Sequence, residues 1–244
     1  MEHIRRWGLN LMMPRCSIVI PARNEAEGIL VILGRIKESM DIPFECLIFV
    51  DDPSDSTCEY ITKLESNDPK FRLAINNQKT GPAGAIKYGI SLSKSPIVVV
   101  TMADGSDDPR IISELVRLVE RGVVIACASR YMPGGQQVGA PAVKGFLSRI
   151  AGLSLFFFRR IGTHDATNSF KAYNKEFLET YGIDSKHGFE MAIELVAKAK
   201  RHKLPVAELP TIWLERSVGK SNFKIWSWLP SYLYWYLYAF GIGS

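Results

Sequence analysis

The sequence predicts an α/β protein whose central, mostly parallel β-sheet carries helices on both faces. Through the first two thirds of the chain, short β-rich runs alternate with segments whose apolar residues recur at helical spacing. Strands that alternate with helices favour a parallel sheet, because the helices make the crossovers between strands. The 244 residues are 47% hydrophobic and 23% charged, which is typical of one large globular domain or of a domain with a small appendage.

Each of the first four predicted strands is followed by a predicted helix. The strands are expected at residues 16–21, 46–50, 71–75, 98–101 and 123–128. The apolar residues that define the first and fourth helices are Ile29, Leu33, Ile36 and Met40, and Ile112, Leu115 and Val119. The second helix begins at the SDST cluster, and the third spans 81–93 after a glycine-rich turn. Asp108 has the position of an N-cap, with Pro109 at the first helical residue of the fourth helix.

The pattern changes beyond residue 140. An apolar helix with basic residues near its ends is predicted at 143–161, and it contains three consecutive phenylalanines. A strand at 169–173, a helix at 188–203 and a strand at 206–213 follow, and the loop RSVGKSN leads into an aromatic tail. Nothing in this part has the composition of a linker, so we expect residues 1–224 to form one domain.

The tail, residues 225–244, contains no charged residue. Eight of its residues are Trp, Tyr or Phe, which favour the membrane–water interface. Its length is borderline for a spanning helix, and Pro230 interrupts it. We expect a helix that lies in the membrane interface, with a true span or a helix packed on the protein's own core as alternatives.

Charge and cysteine content exclude several classes of protein. The formal net charge of +5 is mild, the basic residues are dispersed, and no aromatic–basic motif occurs, so nucleic-acid binding is not favoured. The four cysteines and four histidines lack the spacing of a zinc site or a disulfide framework. The N-terminus lacks the long apolar core of a signal peptide, so a cytoplasmic, reducing location is expected.

Polar clusters follow three of the predicted strands: PARNE after the first, DDPSDS after the second and ADGSDD after the fourth. In open α/β sheets, ligands bind outside the carboxyl ends of the strands. Because parallel strands end at the same edge, the three clusters are expected to line one ligand site.

These clusters belong to a longer series of motifs: PARNE, VDDPSDST, GPAGA, ADGSDDP, ASRY, DATNSFKAY, FEMAIEL and ERSVGKSNF. In type and order, the series resembles the family 2 glycosyltransferases over about residues 15–224, most closely the dolichyl-phosphate mannose synthases and related polyprenyl-phosphate sugar transferases. The resemblance implies a GT-A fold, a nucleotide-diphosphate sugar as donor and a divalent metal, Mg²⁺ or Mn²⁺. It also implies a polyprenyl phosphate acceptor at the cytoplasmic face of the membrane.

The resemblance assigns the nucleotide sugar to residues in the turns after the strands. They are Pro21, Ala22, Asn24, Glu25, Asp51, Asp52, Gly81, Gly84, Ala103 and Asp104. The Asp51–Asp52 pair corresponds to the family's contact with base and ribose, and the glycines let backbone approach a ligand closely. The alternative is that these aspartates and glycines merely form turns and caps.

The acidic stretch departs from the family's Asp-Ala-Asp pattern, because Met102 replaces the first aspartate. A thioether is a poor ligand for a hard cation. Asp104 keeps the second position and is the expected metal ligand, and Asp107 is a candidate for a second oxygen. One or two carboxylates are enough for Mg²⁺ when substrate phosphates complete the coordination.

The resemblance also implies a second set of residues that binds the acceptor phosphate, and its members are Arg130, Lys144, Arg216, Lys220 and Ser221. Arg130 follows the fifth strand, and its planar guanidinium suits bidentate binding of a phosphate. The resemblance makes 216–221 a loop that closes over the phosphates. Asp104, Arg130, Asp165 and Glu190 are the candidate catalytic residues. Glu190 is a candidate to face the sugar, and Glu194 is expected to cap, to pair with Lys198 or to have no role.

The predicted reaction is an inverting transfer of a hexose, from a donor such as GDP-mannose or UDP-glucose, to a polyprenyl monophosphate. A phosphate monoester is already anionic at neutral pH, so the acceptor needs little help from a general base. Two alternatives remain: transfer to a hydroxyl acceptor, with Asp165 or Glu190 as base, and a sugar-nucleotide-binding protein without catalysis. The sequence leaves the oligomeric state open.

Overall fold

Seven β-strands form a central sheet with helices packed on both of its faces. The computed structural model describes residues 13–76, 81–139, 142–186, 188–215 and 225–243. The strands are β1 Cys16–Pro21, β2 Phe44–Val50, β3 Phe71–Ile75, β4 Ile97–Val100, β5 Ile125–Ser129, β6 Gln136–Val138, β7 Lys171–Asn174, β8 Val206–Pro210 and β9 Ile212–Leu214. The helices are α1 Gly28–Ser39, α2 Thr57–Asn67, α3 Gly81–Leu92, α4 Ile112–Glu120, α5 Ala142–Arg159, α6 Lys175–Tyr181, α7 Met191–Arg201 and α8 Ile225–Ala239.

The central sheet has the strand order β3-β2-β1-β4-β7-β5-β8. Strand β7 is antiparallel to both of its neighbours, and the other adjacent strands are parallel. The carboxyl ends of β1, β2, β4, β5 and β8 therefore lie at one edge of the sheet. Because β7 runs the other way, its first residue, Lys171, lies at this edge opposite Val100 and Cys127. This arrangement confirms the predicted fold class.

Two apolar layers cover the sheet. On one face, Ile18, Ile48 and Val99 pack against the inward sides of α1, α2 and α4. On the other face, Val19 and Phe49 pack against α3. The same apolar layer extends across the neighbouring strands to α7. Strands buried on both faces have nearly continuous hydrophobic sequences. Successive side chains of a strand point to opposite faces, so each strand contributes to both layers.

The predicted strand at 206–213 is divided in the structure, which corrects the sequence interpretation. It breaks at Thr211, whose N–H donates to the Ser129 carbonyl (3.0 Å) and whose carbonyl accepts from Gln136 N–H (2.9 Å). Beyond the break, β9 leaves the central sheet and pairs in parallel with β6. Pro210 supplies no N–H to continue the ladder, which is consistent with an end at this point. Helix α6, capped by the Asn174 side chain, is a further element that the sequence pattern missed.

Helix α8 lies against α7 and α5. Trp235 is 6% exposed and Ala239 is fully buried in the apolar layer beside α7, so one face of the aromatic tail belongs to the protein's own core. Within the described ranges, no helix has the length and apolar character needed to cross a membrane.

Gly89 makes a close helix-to-sheet contact that can be tested by mutation. A Cβ at this position would lie 2.5 Å from Cγ1 of Val19 and 2.8 Å from the Phe49 ring. We expect Gly89→Ala to lower the free energy of unfolding by about 1–3 kcal/mol, because the helix must move away from the sheet. Urea denaturation measures this change.

Gly34→Ala is the matched control, because a Cβ on this residue of α1 meets no described atom within 4 Å. It should raise the free energy of unfolding by about 0.5–1 kcal/mol, since alanine favours the helix. Equal effects of the two substitutions would contradict the packing described for Gly89.

Candidate active site

The turns after β1 and β2 are fastened to each other at the carboxyl edge of the sheet. The N–H of Ala22 donates to the Phe49 carbonyl (2.8 Å), which continues the ladder beyond Pro21. Asn24 has φ +55°, and its N–H donates to the Asp55 carboxylate at 2.9 Å. The N–H of Glu25 donates to Oγ1 of Thr57 at 3.1 Å. The sequence-predicted nucleotide turn is therefore a defined structure held by the loop after β2.

The two neighbouring aspartates after β2 differ in what their carboxylates contact. Oδ1 of Asp52 accepts from the backbone N–H (2.9 Å) and the hydroxyl (2.7 Å) of Ser54, which shapes the turn. Oδ1 of Asp51 is buried and accepts no hydrogen bond from any described residue. Burial raises the pKa of Asp51. A buried acceptor of this kind can take a hydrogen bond from a ligand hydroxyl or N–H, so Asp51 is a candidate ligand contact.

The predicted glycine turn lies at the beginning of α3. Gly81 is the first residue of this helix and has φ +69°, a conformation that favours glycine. Because α3 precedes the parallel strand β4, it begins at the carboxyl edge of the sheet. Its N-terminal N–H groups therefore lie on the same side of the sheet as the aspartates.

The acidic loop after β4 is tightly folded. Oδ1 of the half-buried Asp104 accepts from Ser106 N–H at 3.1 Å, and Gly105 takes φ +72°. The Ser106 carbonyl accepts from Leu214 N–H (3.0 Å), which ties this loop to β9. Asp108 accepts from Arg110 N–H (3.1 Å), as predicted for a cap, although it caps a single 3₁₀ turn that leads into α4.

Asp107 is 6% exposed and points back into the loop. Its Oδ2 accepts from the Thr101 hydroxyl (2.9 Å) and from Met102 N–H (3.2 Å). Burial and the nearby charge of Asp104 raise the pKa of Asp107 to about 7. Two carboxylates that repel each other in this way suit a cation between them.

The metal expected from the sequence therefore fits this loop in its donor chemistry. Asp104 and Asp107 supply oxygen donors, which Mg²⁺ and Mn²⁺ prefer. Among the residues that the structure places, no group of three His, Cys, Asp or Glu side chains could hold a metal. A cation held by these two carboxylates would need further ligands, which the phosphates of a substrate supply in many Mg²⁺ sites.

Arg130 and Asp165 form a buried bidentate ion pair. Nε and Nη2 of Arg130 donate to Oδ2 (2.6 Å) and Oδ1 (2.9 Å) of Asp165, whose Oδ2 also accepts from Arg130 N–H at 3.1 Å. Nη2 also donates to the hydroxyl of Ser148 in α5 (3.2 Å). Burial opposes ionisation of Asp165, but the charge and hydrogen bonds of Arg130 outweigh it and hold the pKa of this carboxyl below its ordinary value. Asp165 thus positions the guanidinium and is a weak proton acceptor.

Lys171 is a buried residue of this edge that the sequence interpretation did not select. Its Nζ donates to the carbonyls of Ala166 (3.2 Å) and Asn168, in the loop that carries Asp165. Burial lowers the pKa of Lys171, and the charges of Asp165 and Asp107 oppose that shift. A lysine within the apolar run Phe170–Tyr173 was the signal that could have identified it, because unpaired lysines are rarely fully buried.

Glu190 is 1% exposed and occupies the N-cap of α7. Since α7 precedes the parallel strand β8, its first turn lies at the carboxyl edge of the sheet.

The contacts of Glu194 show which of its predicted roles it has. Its carboxylate accepts from the N–H groups of Asp184 (2.6 Å) and Ser185 (2.8 Å) and from Nζ of Lys198 (2.6 Å). Glu194 therefore has a structural role.

Part of the predicted phosphate-binding set falls outside this description. Arg216, Lys220 and Ser221 lie outside the described residues, and so does the side chain of Lys144, a residue of α5. Their assignment to the acceptor phosphate stays a prediction.

The open α/β sheet, with the candidate site at the carboxyl ends of its strands, is the GT-A fold expected from the sequence. The chain belongs to glycosyltransferase family 2, because the profile described as Glycosyl transferase family 2 matches residues 17–182. The family predicted from the motifs is thereby confirmed.

Several known proteins are similar to this chain. The polyprenol monophosphomannose synthase of Mycolicibacterium smegmatis is 33% identical over 218 residues, 86% of this chain and 81% of that protein. The undecaprenyl-phosphate mannosyltransferase of Micrococcus luteus is 27% identical over 216 residues, 86% of this chain and 88% of that protein. A mannosyltransferase from Pyrobaculum calidifontis, in complex with GDP-Man and Mn²⁺, matches with a TM-score of 0.63 at 19% identity, over 95% of this chain and 65% of that chain. This last likeness concerns the fold.

The buried ion pair is expected to contribute strongly to stability. Asp165→Asn leaves the Arg130 guanidinium buried without its counter-charge, so the free energy of unfolding at pH 7 should fall by about 3 kcal/mol. Because folding lowers the pKa of Asp165, this contribution is complete above about pH 5 and is lost as the pH falls through the folded-state pKa. Urea denaturation over a series of pH values measures both effects.

Glu59→Gln provides the control, since it breaks the exposed pair of Glu59 with Lys63 on α2. Exposed pairs of this kind contribute little, so the unfolding midpoint should not change measurably. If Asp165→Asn were as harmless as Glu59→Gln, the pair would not have the structural role described.

Proposed function

We propose that this glycosyltransferase moves mannose from GDP-mannose to a polyprenyl monophosphate, with inversion, at the cytoplasmic surface of a membrane. The observation that carries the proposal is the meeting of an acidic loop and a buried, oriented arginine at one edge of the sheet. The two relatives, a polyprenol monophosphomannose synthase and an undecaprenyl-phosphate mannosyltransferase, support the choice of sugar and acceptor.

The donor would bind across the turns after β1, β2 and β4. Asp51 has a buried oxygen ready for a hydroxyl or N–H of the nucleoside. Asp104 and Asp107 would hold Mg²⁺ or Mn²⁺, which when bound neutralises the charge of the departing diphosphate. The N-terminus of α3 offers backbone N–H groups to the same phosphates.

The acceptor phosphate would bind beside Arg130. Asp165 fixes the guanidinium in one orientation, so a phosphate arriving at its remaining donors meets a group that needs no rearrangement. An anionic phosphate monoester can attack the anomeric carbon without losing a proton to the protein. The lowered pKa of Asp165 agrees with this scheme, because a carboxylate held by arginine is a poor general base for a hydroxyl acceptor.

An exposed apolar surface on α5 and α8 would bring the enzyme to its lipid substrate. The side chains of this surface are Phe146, Leu147, Ile150, Phe157 and Phe158 of α5 and Leu229, Leu233 and Leu237 of α8. In each helix they recur at helical spacing, so each set forms a face. The helices are joined by a hydrogen bond between the hydroxyls of Ser154 and Tyr236 (3.0 Å). Neighbouring helices that each carry an exposed apolar face suit a bilayer interface.

Ser148 of the same α5 accepts a hydrogen bond from Nη2 of Arg130. The proposed phosphate site therefore lies next to the helix that would contact the membrane. This geometry lets a prenol chain stay in the lipid while its phosphate reaches Arg130.

The activity is tested with purified protein, radiolabelled GDP-mannose and polyprenyl phosphate in detergent, by following label into the organic phase. We expect metal-dependent transfer, and Asp104→Ala should lower it by about a hundredfold or more, because the diphosphate loses its cation. The control Asp41→Ala removes an exposed carboxylate paired with Arg117, just before β2 at the opposite edge, and should leave the rate unchanged.

Two results would contradict the proposal. Label that enters a saccharide or protein hydroxyl, with none in the lipid fraction, would mean a hydroxyl acceptor. Tight binding of GDP-mannose by calorimetry, without transfer to any acceptor, would mean a sugar-nucleotide-binding protein without catalysis.

Membrane association is tested by cosedimentation with phosphatidylcholine–phosphatidylglycerol vesicles. The double substitution Phe157→Ser and Phe158→Ser should lower the partition coefficient by about tenfold or more, since two large apolar side chains no longer enter the interface. Val31→Ser changes a residue of α1 that is also exposed, at 67%, and should leave the partition coefficient unchanged. Equal partition coefficients for the parent, the double variant and Val31→Ser would contradict the assignment of α5 to the membrane-binding surface.

A further inference from the structure

The inner face of α8 packs against α7 and the turn that precedes it. Trp228, Tyr232, Trp235 and Ala239 follow one another at helical spacing, on the side opposite Leu229, Leu233 and Leu237. Trp235 and Ala239 are buried in the core, and Nζ of Lys198 in α7 lies 5.4 Å from the Trp235 ring centroid. One helix thus carries an exposed apolar face and a face that touches the rest of the enzyme.

At the start of this inner face, Trp228 packs on the turn that leads into α7. A Cβ added to the buried Gly188 would lie 3.0 Å from two atoms of the indole ring. The ring of Phe189 meets the same indole edge-on, at 6.1 Å between centroids. The indole comes this close to the chain because Gly188 has no side chain.

This turn sets the position of Glu190. Phe189 and Glu190 supply the carbonyls that accept from the N–H groups of Ala192 (3.1 Å) and Glu194 (3.1 Å), so both belong to the first turn of α7. The backbone of Gly188 and Phe189 therefore fixes where the Glu190 carboxylate lies. Displacing the indole would release the turn on the side that faces α8.

Tyr232, one helical turn after Trp228, connects α8 electrostatically to the site. Burial raises the pKa of the Tyr232 phenol, the charge of Glu190 raises it further, and the charge of Arg130 opposes the shift. The inner face of α8 is therefore near both the proposed sugar-facing carboxylate and the proposed phosphate-binding arginine.

Earlier parts of the same loop are held by α7. Glu194 binds the N–H groups of Asp184 and Ser185, and Nζ of Lys198 donates to the carbonyls of Tyr181 (3.0 Å) and Gly182 (3.1 Å). The loop is thus anchored to α7 at its beginning and to α8 at Gly188, two residues before Glu190, the proposed sugar-facing carboxylate.

We propose that Trp228 is a positioning residue for the transfer reaction: its indole, packed on Gly188, holds the Gly188–Glu190 turn and thereby places the Glu190 carboxylate against the sugar. The C-terminal helix is then part of the active site as well as part of the apolar surface. This inference rests on the proposed function and on the sequence prediction that Glu190 faces the sugar.

A double-mutant cycle tests the inference with Trp228→Ala, Glu190→Gln and the combined variant, assayed for transfer in detergent so that vesicle binding plays no part. Trp228→Ala should lower kcat by about tenfold or more, while the KM for the sugar nucleotide stays within about twofold. In the Glu190→Gln background, Trp228→Ala should have no further effect, because both changes remove the same interaction. Tyr238→Ala is the matched control: this ring lies 4.3 Å from the Arg201 guanidinium, at the other end of α7, and its loss should leave kcat unchanged.

Additive effects in the two backgrounds, or a kcat for Trp228→Ala equal to that of the parent, would overturn the positioning role of Trp228. A kcat for Glu190→Gln equal to that of the parent would overturn the role of Glu190 on which the inference rests. Absence of transfer by the parent enzyme would instead contradict the proposed function. Failure of the inference and failure of the proposed function therefore give different results.

A second variant covers the possibility that Trp228→Ala does not fold, which thermal unfolding would reveal. Gly188→Ala introduces a methyl group against the same indole and should lower kcat in a folded protein. Adding Trp228→Phe, which gives the methyl group room, should restore part of the lost kcat. No recovery in the combined variant would contradict the proposed contact.

Discussion

The ion pair between Arg130 and Asp165 is the contact through which three separate parts of the chain form one site. Arg130 directly follows β5, Asp165 belongs to the loop before β7, and the Ser148 hydroxyl of α5 accepts from the same guanidinium. A buried guanidinium and a buried carboxylate are each costly alone, so the pair strongly disfavours any arrangement that separates these segments. The same constraint keeps Asp165 ionised and leaves it little capacity to accept a proton.

This pair depends on the direction of one strand. Because β7 is antiparallel within an otherwise parallel sheet, its beginning lies at the edge where its neighbours end. The loop before β7 therefore reaches the ligand-binding edge. Nζ of Lys171 holds that loop by donating hydrogen bonds to the carbonyls of Ala166 and Asn168. The acidic loop after β4 lies next to it in the sheet order, so negative and positive groups meet over the β4–β7–β5 strands.

Much of the fold could be predicted from the sequence, because the parallel strands are buried on both faces and stand out as apolar runs. The predicted bounds of β1 and β3 agree with the structure, and Asp108 caps as expected. The division at Thr211 and the pairing of β6 with β9 could not be predicted, since strands of three residues have no usable periodicity. Of the candidate site, the sequence predicted Asp104, Arg130 and Asp165, and their functional roles stay predictions. The hydrogen bonds that turn Asp107 inward and hold the buried Lys171 arise from tertiary packing.

The two faces of α8 bear on how the protein can be shortened. A chain ending at residue 224 would lose the exposed leucines, but it would also remove Trp235 and Ala239 from the interior and uncover the apolar side of α7 against which they pack. The truncated polypeptide would expose fresh hydrophobic surface where the full chain has a sealed interface. Deleting the tail to gain solubility would therefore expose new apolar surface. Replacing single outward-facing side chains of α8 leaves its buried face packed on α7.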